Sequence, residues 1–466
     1  MRLTRISASR RQFLQGGLAA AAACCAPTLV PSSVFGALAP SNRIHVGVIG
    51  MGNQSGSVVP AFLDQPDAQV LAVCDVNTGS HGYKTPKQFL GREPGRDKVN
   101  AYYAQKNDAG QYKGCDAYRD FREVIGRSDI DAAVIIVPDH WHALMTVAAA
   151  KAGKDIYCEK PLSLCIQQGQ AMVKAVRKYN RVLQTGSPWR SNPLGQRVAE
   201  LVRNGRIGKV QRVLAHLPVV NAVSPGPGWK PMPVPEGLDY PMWLGPAPDA
   251  PYHKDRCLYR FRFILDYSGG QTTNFGAHAN TLAQWALGTD QSGPVEFEDA
   301  GSEWFLPGDL FTAPKVVAFR ARYAGGAEVV FTTGKQQGIS VRFEGTEGWI
   351  EVDNQEIRYS SDALKEAKIG PDDVHLAPRL ELPLPKSKEH EIFHRHVRNF
   401  LDCMKSRKDP IEPVEVGHRV ATICHLGNIA MKLRRKIRWD PKQEAVIGDP
   451  QAAAMLSRPM RAPWTL

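Results

Sequence analysis

Two short runs carry residue types that could do chemistry. Pro138-Asp139-His140-Trp141-His142 follows the apolar run Ala132–Val137, and Glu159-Lys160-Pro161 follows Asp155–Cys158. Both preceding runs read as buried strands. Both motifs therefore fall at the carboxyl edge of a sheet, where open α/β sheets bind ligands. A lysine at a strand's end, fixed by a proline, aims one cationic donor into a cleft. His140 and His142 resemble a metal pair. However, no carboxylate or cysteine stands at matching spacing, so no metal is expected. Farther along, Asn274-Phe275-Gly276-Ala277-His278 sets an amide four residues before an imidazole. Histidine titrates near neutrality and can take the proton of a hydroxyl group.

A glycine turn supplies a second signal. GVIGMGNQSGSVVP places Gly50-Met51-Gly52 between an apolar run and a helix start, with Asn53 and Gln54 at the turn. The first glycine permits a tight turn. The second lets a pyrophosphate approach backbone N–H groups where the helix dipole favours anions. Ser55 stands at the third glycine position and Gly56 follows. Asp75 ends the next apolar run, close to the expected spacing of about 20 residues from the glycines. A carboxylate there can accept ribose hydroxyls and repels a 2′-phosphate. NAD is therefore expected, with NADP disfavoured.

These residues need a scaffold, and the pattern provides one. Arg43–Ile49, Gln69–Cys74, Ala132–Val137, Asp155–Cys158 and Val182–Thr185 are continuous β-rich apolar runs. Helical stretches, including 142–152 and 163–179, lie between some of them. Alternation of this kind predicts a doubly wound parallel sheet, an α/β Rossmann domain over 41–187. The polar segment Gly79–Gly114 reads as a surface excursion. From 188 to 440 alternating strands at Val210–Leu217, Val316–Tyr323, Ala327–Thr333, Ser340–Glu344 and Gly348–Val352 predict an α/β domain with a large, mostly antiparallel open sheet. Val219–Pro251 is expected to be a long ordered loop. Ile392, Phe393, Val397, Phe400, Leu401 and Met404 share one helical face. Residues 441–466 are a tail.

The glycine turn, the Pro138–His142 run and Glu159-Lys160-Pro161 together resemble the Gfo/Idh/MocA family of glucose–fructose oxidoreductase and inositol dehydrogenase relatives. The likeness continues in RFILDYSGGQTTNFGAHANTLAQWALG, HVRNFLDCMKSRKDP, GHRVATICHLGNIA and LSRPMRAPW. The resemblance implies a nicotinamide cofactor held by Gly50, Gly52, Asn53, Gln54, Asp75, Pro138, His140, His142, Glu159 and Lys160. It implies a carbohydrate or cyclitol substrate, a homo-oligomer, and catalysis by Lys160 with His278. The family's aspartate before that histidine is Asn274 here, and its second acid is Thr281. An amide can orient an imidazole but supplies no charge. The departure keeps two other readings in view: a redox-assisted lyase or glycosidase, and a non-catalytic nucleotide-binding homologue. Trp189, Arg190, Tyr259, Arg260 and Arg262 flank the motifs and are expected to line the substrate site.

The 466 residues carry a net charge of +12. Four of those charges, Arg2, Arg5, Arg10 and Arg11, belong to the leader 1–39. There Arg10-Arg11 precedes an apolar run too short to span a bilayer. The arrangement resembles a twin-arginine signal and implies a folded protein sent to the periplasm. No lysine/arginine block of nucleic-acid type and no membrane span is expected. A soluble nicotinamide pool is not expected outside the cytoplasm, so an exported enzyme must carry its cofactor and regenerate it in place.

Overall fold

The computed structural model describes residues 42–106, 110–219, 222–334, 338–376 and 388–466; the leader, with Arg10, Arg11, Cys24 and Cys25, lies outside the described residues. Residues 44–466 form one compact unit.

Strands β1 (Ile44–Ile49), β2 (Ala68–Cys74), β3 (Asp116–Tyr118), β4 (Ala132–Ile135), β5 (Asp155–Glu159) and β6 (Leu183–Gly186) form an all-parallel sheet. Its order is β3-β2-β1-β4-β5-β6. Every residue of β4 and β5 is buried. Helices cover both faces of such a sheet, which is why these strands read as unbroken apolar runs. The connecting helices are α1 (Ser55–Leu63), α2 (Arg92–Gln105), α3 (Phe121–Gly126), α4 (Asp139–Lys151) and α5 (Ile166–Lys178). The strand order reverses between β1 and β4. Ligands of this fold bind outside the carboxyl ends at that reversal. Gly50, Pro138 and Lys160 follow the ends of β1, β4 and β5.

The segment read as a polar excursion contains α2, a helix of 14 residues. Its buried residues are only Gly95 and Val99, so it offers no apolar stripe to a pattern search. Gly95 lies so close to Met51 that a Cβ would sit 2.5 Å from its side chain.

The second sheet has nine strands in the order β15-β14-β13-β7-β12-β11-β8-β16-β17. These are β7 (Val210–Pro218), β8 (Glu296–Asp299), β11 (Ala318–Arg322), β12 (Glu328–Gly334), β13 (Ser340–Gly345), β14 (Trp349–Val352), β15 (Ile357–Tyr359), β16 (Ile437–Asp440) and β17 (Ala445–Ile447). Glu303–Trp304 (β9) and Pro314–Val316 (β10) pair separately. All neighbours in the large sheet are antiparallel except β7 and β12, which are parallel. The helices of this half are α6 (Pro193–Arg203), α7 (Tyr240–Leu244), α8 (Gln271–Leu287), α9 (Asp362–Glu366), α10 (Lys388–Ser406), α11 (Val414–Leu433) and α12 (Pro450–Ala454). The long loop before α8 is ordered around α7. Helices α8 and α11 pack on each other and on the sheet.

One element crosses between the halves. The apolar face of α10 docks on the first sheet's layer, not the second. Val397, Phe400 and Leu401 are fully buried there, with the Phe400 ring 6.0 Å from Tyr157 and 6.3 Å from Phe62. Burying each of these side chains contributes about 1.5–3 kcal/mol. The Rossmann core thus closes only when residues 388–406 return to it.

A buried ionic network pins the junction. Arg190 and Glu412 are 2 % and 0 % exposed. Arg190 donates to Asp290 at 2.6 and 2.8 Å and to Thr281 Oγ1 at 2.9 Å, and Thr281 Oγ1 donates to Glu412 at 2.9 Å. This corrects the expectation for Trp189 and Arg190, which do not line the substrate site. Trp189 packs in the second core, and the guanidinium is consumed by acids 100 and 222 residues away in sequence. Burial pushes the Glu412 carboxyl up to about 7 despite Arg190. The folded protein therefore keeps this proton at pH values where the unfolded chain has lost it. The contribution to stability is present below about pH 4.5 and declines as pH rises toward 7. Glu412→Gln, neutral throughout, should compare more favourably with wild type at pH 8 than at pH 5, by up to about 3 kcal/mol. Denaturant midpoints at the two pH values test this; a pH-independent difference would contradict the burial of a charge there.

Candidate active site

A cleft of about 1250 Å³, open mouth included, runs from the glycine turn to α8. Gly50, Gly52, Asn53, Gln54, Asp75, Pro138, Glu159, Lys160 and Asn274 all line it. Those nine expected site residues therefore meet in one place.

The outer end is built for a dinucleotide. Gly50 has φ +100°, and a Cβ on it would lie 2.0 Å from the Ile136 carbonyl oxygen, so only glycine fits. Ser55 Oγ donates to the Gly52 carbonyl at 2.7 Å and closes the turn where a third glycine was expected. The N–H groups of Gly52, Asn53 and Gln54 have no protein acceptor among the described residues. Three free donors at a helix start suit a pyrophosphate. Asp75 accepts from Met51 N at 2.7 Å and Asn77 N at 2.8 Å, one bond per carboxylate oxygen. It ties the turn to β2 and keeps a lone pair on each oxygen for a ribose hydroxyl. Burial raises its carboxyl pKa, against those two N–H bonds. These residues fit NAD.

The segment 77–91 folds over this end, a feature without a sequence signal beyond its polarity. Tyr83 lies 3.1 Å from where a Gly52 Cβ would stand, and its hydroxyl accepts from Asn77 Nδ2 at 3.1 Å. Gln88 Nε2 donates to Asn53 Oδ1 at 2.9 Å.

The inner end holds the ionisable groups. Lys160 Nζ donates to Asn274 Oδ1 at 3.0 Å and contacts the Asn274 carbonyl oxygen at 3.3 Å. Desolvation lowers the Lys160 pKa, with Glu159 opposing the shift. Glu159 is buried and pushed up to about 7, chiefly by desolvation, while Gln54 Nε2 donates to it at 3.3 Å. Asp139, in the motif but unassigned from sequence, lines the same wall. It accepts from Ser268 Oγ at 2.5 Å, and burial raises its pKa. Tyr259 and Arg262 are here as expected. Arg260 is not; it pairs with Asp255 at 2.8 Å away from the cleft.

Three expected residues are displaced from the wall. His140 Nε2 contacts the Trp243 carbonyl oxygen at 2.9 Å, and burial lowers its pKa to about 4. His142 is wedged between the Pro161 and Val137 carbonyl oxygens at 2.8 and 2.9 Å. Both begin α4; Asp139, Trp141 and Met145 of that helix, with Pro138 just before it, line the cleft instead. His142 thereby braces the turn after Lys160, and His140 ties α4 to α7. His278 lies one turn beyond Asn274 on α8 and is not among the lining residues. Burial, then Lys160 and His396, hold its pKa well below the ordinary value, so the imidazole is neutral. Among the described residues no cluster of three or more metal-ligating side chains occurs, and no helix is long and apolar enough to cross a membrane.

Comparison with known proteins matches this geometry. A family model described as an oxidoreductase family with an NAD-binding Rossmann fold matches residues 44–187. Its companion, an oxidoreductase-family C-terminal alpha/beta domain, matches 226–366 and 378–466. A Thermotoga maritima protein named myo-inositol 2-dehydrogenase is 24% identical over 415 residues, 87% of this chain and all of that protein. A glycosyl hydrolase family 109 protein of Saccharopolyspora erythraea is 28% identical over 172 residues; the match spans 36% of this chain and only a third of that protein's length (33%). Among solved structures, a levoglucosan dehydrogenase complexed with NADH and levoglucosan shares the fold at TM-score 0.60. It is 18% identical, over 85% of this chain and 99% of that one.

The cleft's outer wall makes a prediction. Gly50→Ala should cost about 2 kcal/mol or more in stability and abolish the rise in melting temperature that added NAD gives protein first freed of bound nucleotide. Calorimetric scans with and without nucleotide check both; an undiminished NAD shift would show that the turn does not hold the dinucleotide.

Proposed function

The chain belongs to the Gfo/Idh/MocA oxidoreductase family, whose first domain binds NAD, and from that premise we propose that it oxidises a hydroxyl of a sugar, glycoside or cyclitol with a retained, internally recycled cofactor. The observation that carries the reading is the Lys160–Asn274 contact at the inner end of the dinucleotide cleft. Bound NAD supplies the hydride acceptor. Lys160 then lies where a substrate hydroxyl must lose its proton. A neutral amine can take that proton, and burial favours the neutral form. The Asn274 oxygen orients Nζ without a counter-charge that would hold it protonated. Glu159, titrating near neutrality beside Lys160, is suited to receive the proton onward. His278 lies one turn beyond Asn274 on α8, and burial keeps its imidazole neutral.

Retention of the cofactor is supported by segment 77–91, whose Tyr83 and Gln88 close over the glycine turn. Export is supported by Arg10-Arg11 and the short apolar run after them. The two fit together: a periplasmic enzyme without a nicotinamide pool needs a cofactor that stays. A recycled cofactor also suits redox-assisted cleavage of a glycoside, and the glycosyl hydrolase relative favours that second reading. Products separate them. A keto sugar formed with an equal amount of a second, reduced sugar or polyol, which returns NADH to NAD+, means oxidoreduction; a cleaved glycoside with unchanged nucleotide means the second.

The test is direct. Folded protein, extensively dialysed and then denatured, should release about one NAD per chain. Lys160→Ala should release the same amount while losing about 10²–10⁴ in turnover. Wild-type turnover should rise with pH as Lys160 deprotonates. Unchanged turnover in the variant would remove Lys160 from the reaction.

A further inference from the structure

The inner end of the cleft has an imbalance of charge that the dehydrogenase reading does not use. Arg262 lies on the wall with Lys160, Asn274 and Ser268. Its Nε donates to the Tyr259 carbonyl oxygen at 3.0 Å, and its guanidinium stacks 4.2 Å from the Tyr259 ring centroid. Tyr259 therefore grips the back and one face of the fork. Among the described residues Arg262 forms no ion pair. Arg260, two residues earlier, takes Asp255. Arg190 takes Asp290 and Arg398 takes Asp67, whereas Arg256, buried against Tyr267 and Trp229, also has no carboxylate partner among the described residues. Of these two guanidinium groups without a carboxylate, Arg262 is the one that lines the cleft, and its burial carries an uncompensated desolvation cost.

Among the described residues no neighbouring acid forms an ion pair with Arg262, although Asp139 acts on it through charge. Lys160 faces an amide, because Asn274 stands where the family resemblance implies an aspartate. Asp139 and Glu159 are the fixed acids of this end, and Ser268 and Gln54 already bond to them. Burial favours the neutral form of both. The permanently charged Arg262 guanidinium thus faces the space beside the reacting hydroxyl without an ion-paired carboxylate.

We propose that the substrate supplies the missing charge: it is a sugar bearing a carboxylate, a uronic acid or its glycoside, held by the free edge of the Arg262 fork while Lys160 meets a ring hydroxyl. A planar carboxylate matches the planar guanidinium with two parallel hydrogen bonds, which a lysine in that place could not reproduce. This proposal rests on the sugar-oxidoreductase reading and narrows its substrate class.

The experiment uses the purified, nucleotide-loaded protein and a calorimetric titration. The probes are methyl glycosides of glucuronic, galacturonic and mannuronic acid, their neutral parent glycosides, and the corresponding 6-sulfates. At least one uronide should bind about 10- to 100-fold more tightly than its neutral parent. Arg262→Gln should bring that ratio to within about threefold, and Arg262→Lys should restore only part of it. The NAD content of each preparation, measured on the same samples, shows that the variants are folded. No uronide preferred over its parent overturns the proposal, as does a preference that survives Arg262→Gln, or a 6-sulfate that outbinds every uronide. If neutral glycosides are oxidised while uronides are not preferred, the carboxylate assignment fails and the oxidoreductase reading stands. Protein free of NAD that also fails to bind added NAD overturns both.

Discussion

The contact between Lys160 and Asn274 is the constraint on which the rest of the molecule turns. Lys160 ends a strand of the parallel sheet, and Asn274 opens the long helix of the second half. The bond exists only if both halves present those ends to one cleft. Much of the architecture serves that condition. Gly186 packs so closely on Glu159 that a Cβ would lie 2.9 Å away, which holds the strand end in place. Asn428 of α11 donates to the Gly269 carbonyl oxygen at 2.8 Å, just before α8 begins. The returning helix α10 fills the core beneath β5 through Phe400 against Tyr157.

The same contact explains how charge is distributed. Elsewhere several buried charges are paired: Asp155 with Arg407, Asp67 with Arg398, Arg190 with Asp290 and Glu412. Inside the cleft the pairing is withheld. Lysine faces an amide, arginine faces a tyrosine, and two carboxyls are driven by burial toward their neutral forms. A partly buried guanidinium without an ion pair interacts strongly with negative charge that enters the site or develops in it.

Much of this was legible from residue order. The buried parallel strands announced themselves as unbroken apolar runs, and Gly50, Asp75 and Lys160 followed strand ends, so their place at the sheet's carboxyl edge was readable. Other features were not. Helix α2 buries only a glycine and a valine, and β3 is three residues long, so neither leaves a periodic trace. His140 and His142 sit in the right motif, but they begin a helix whose Asp139, Trp141 and Met145 face the cleft in their place. Proximity in sequence could not say which way they turn. Arg190 looked like a substrate residue because its partners, Asp290 and Glu412, are supplied by the distant chain. The unpaired state of Arg262 was hidden for the same reason: it is a fact about what does not reach it.

Site-resolved titration of Lys160 tests the central claim most directly. Protein labelled at the lysine side chains, with Lys160→Arg used to assign the resonance, gives its ionisation by NMR in wild type and in Asn274→Asp. Burial opposite an uncharged amide predicts a wild-type value below that of an ordinary lysine. A clear rise is predicted when the aspartate provides a counter-charge, by about 1 unit or more. A wild-type Lys160 that titrates like an exposed lysine and does not respond to the aspartate would contradict the account.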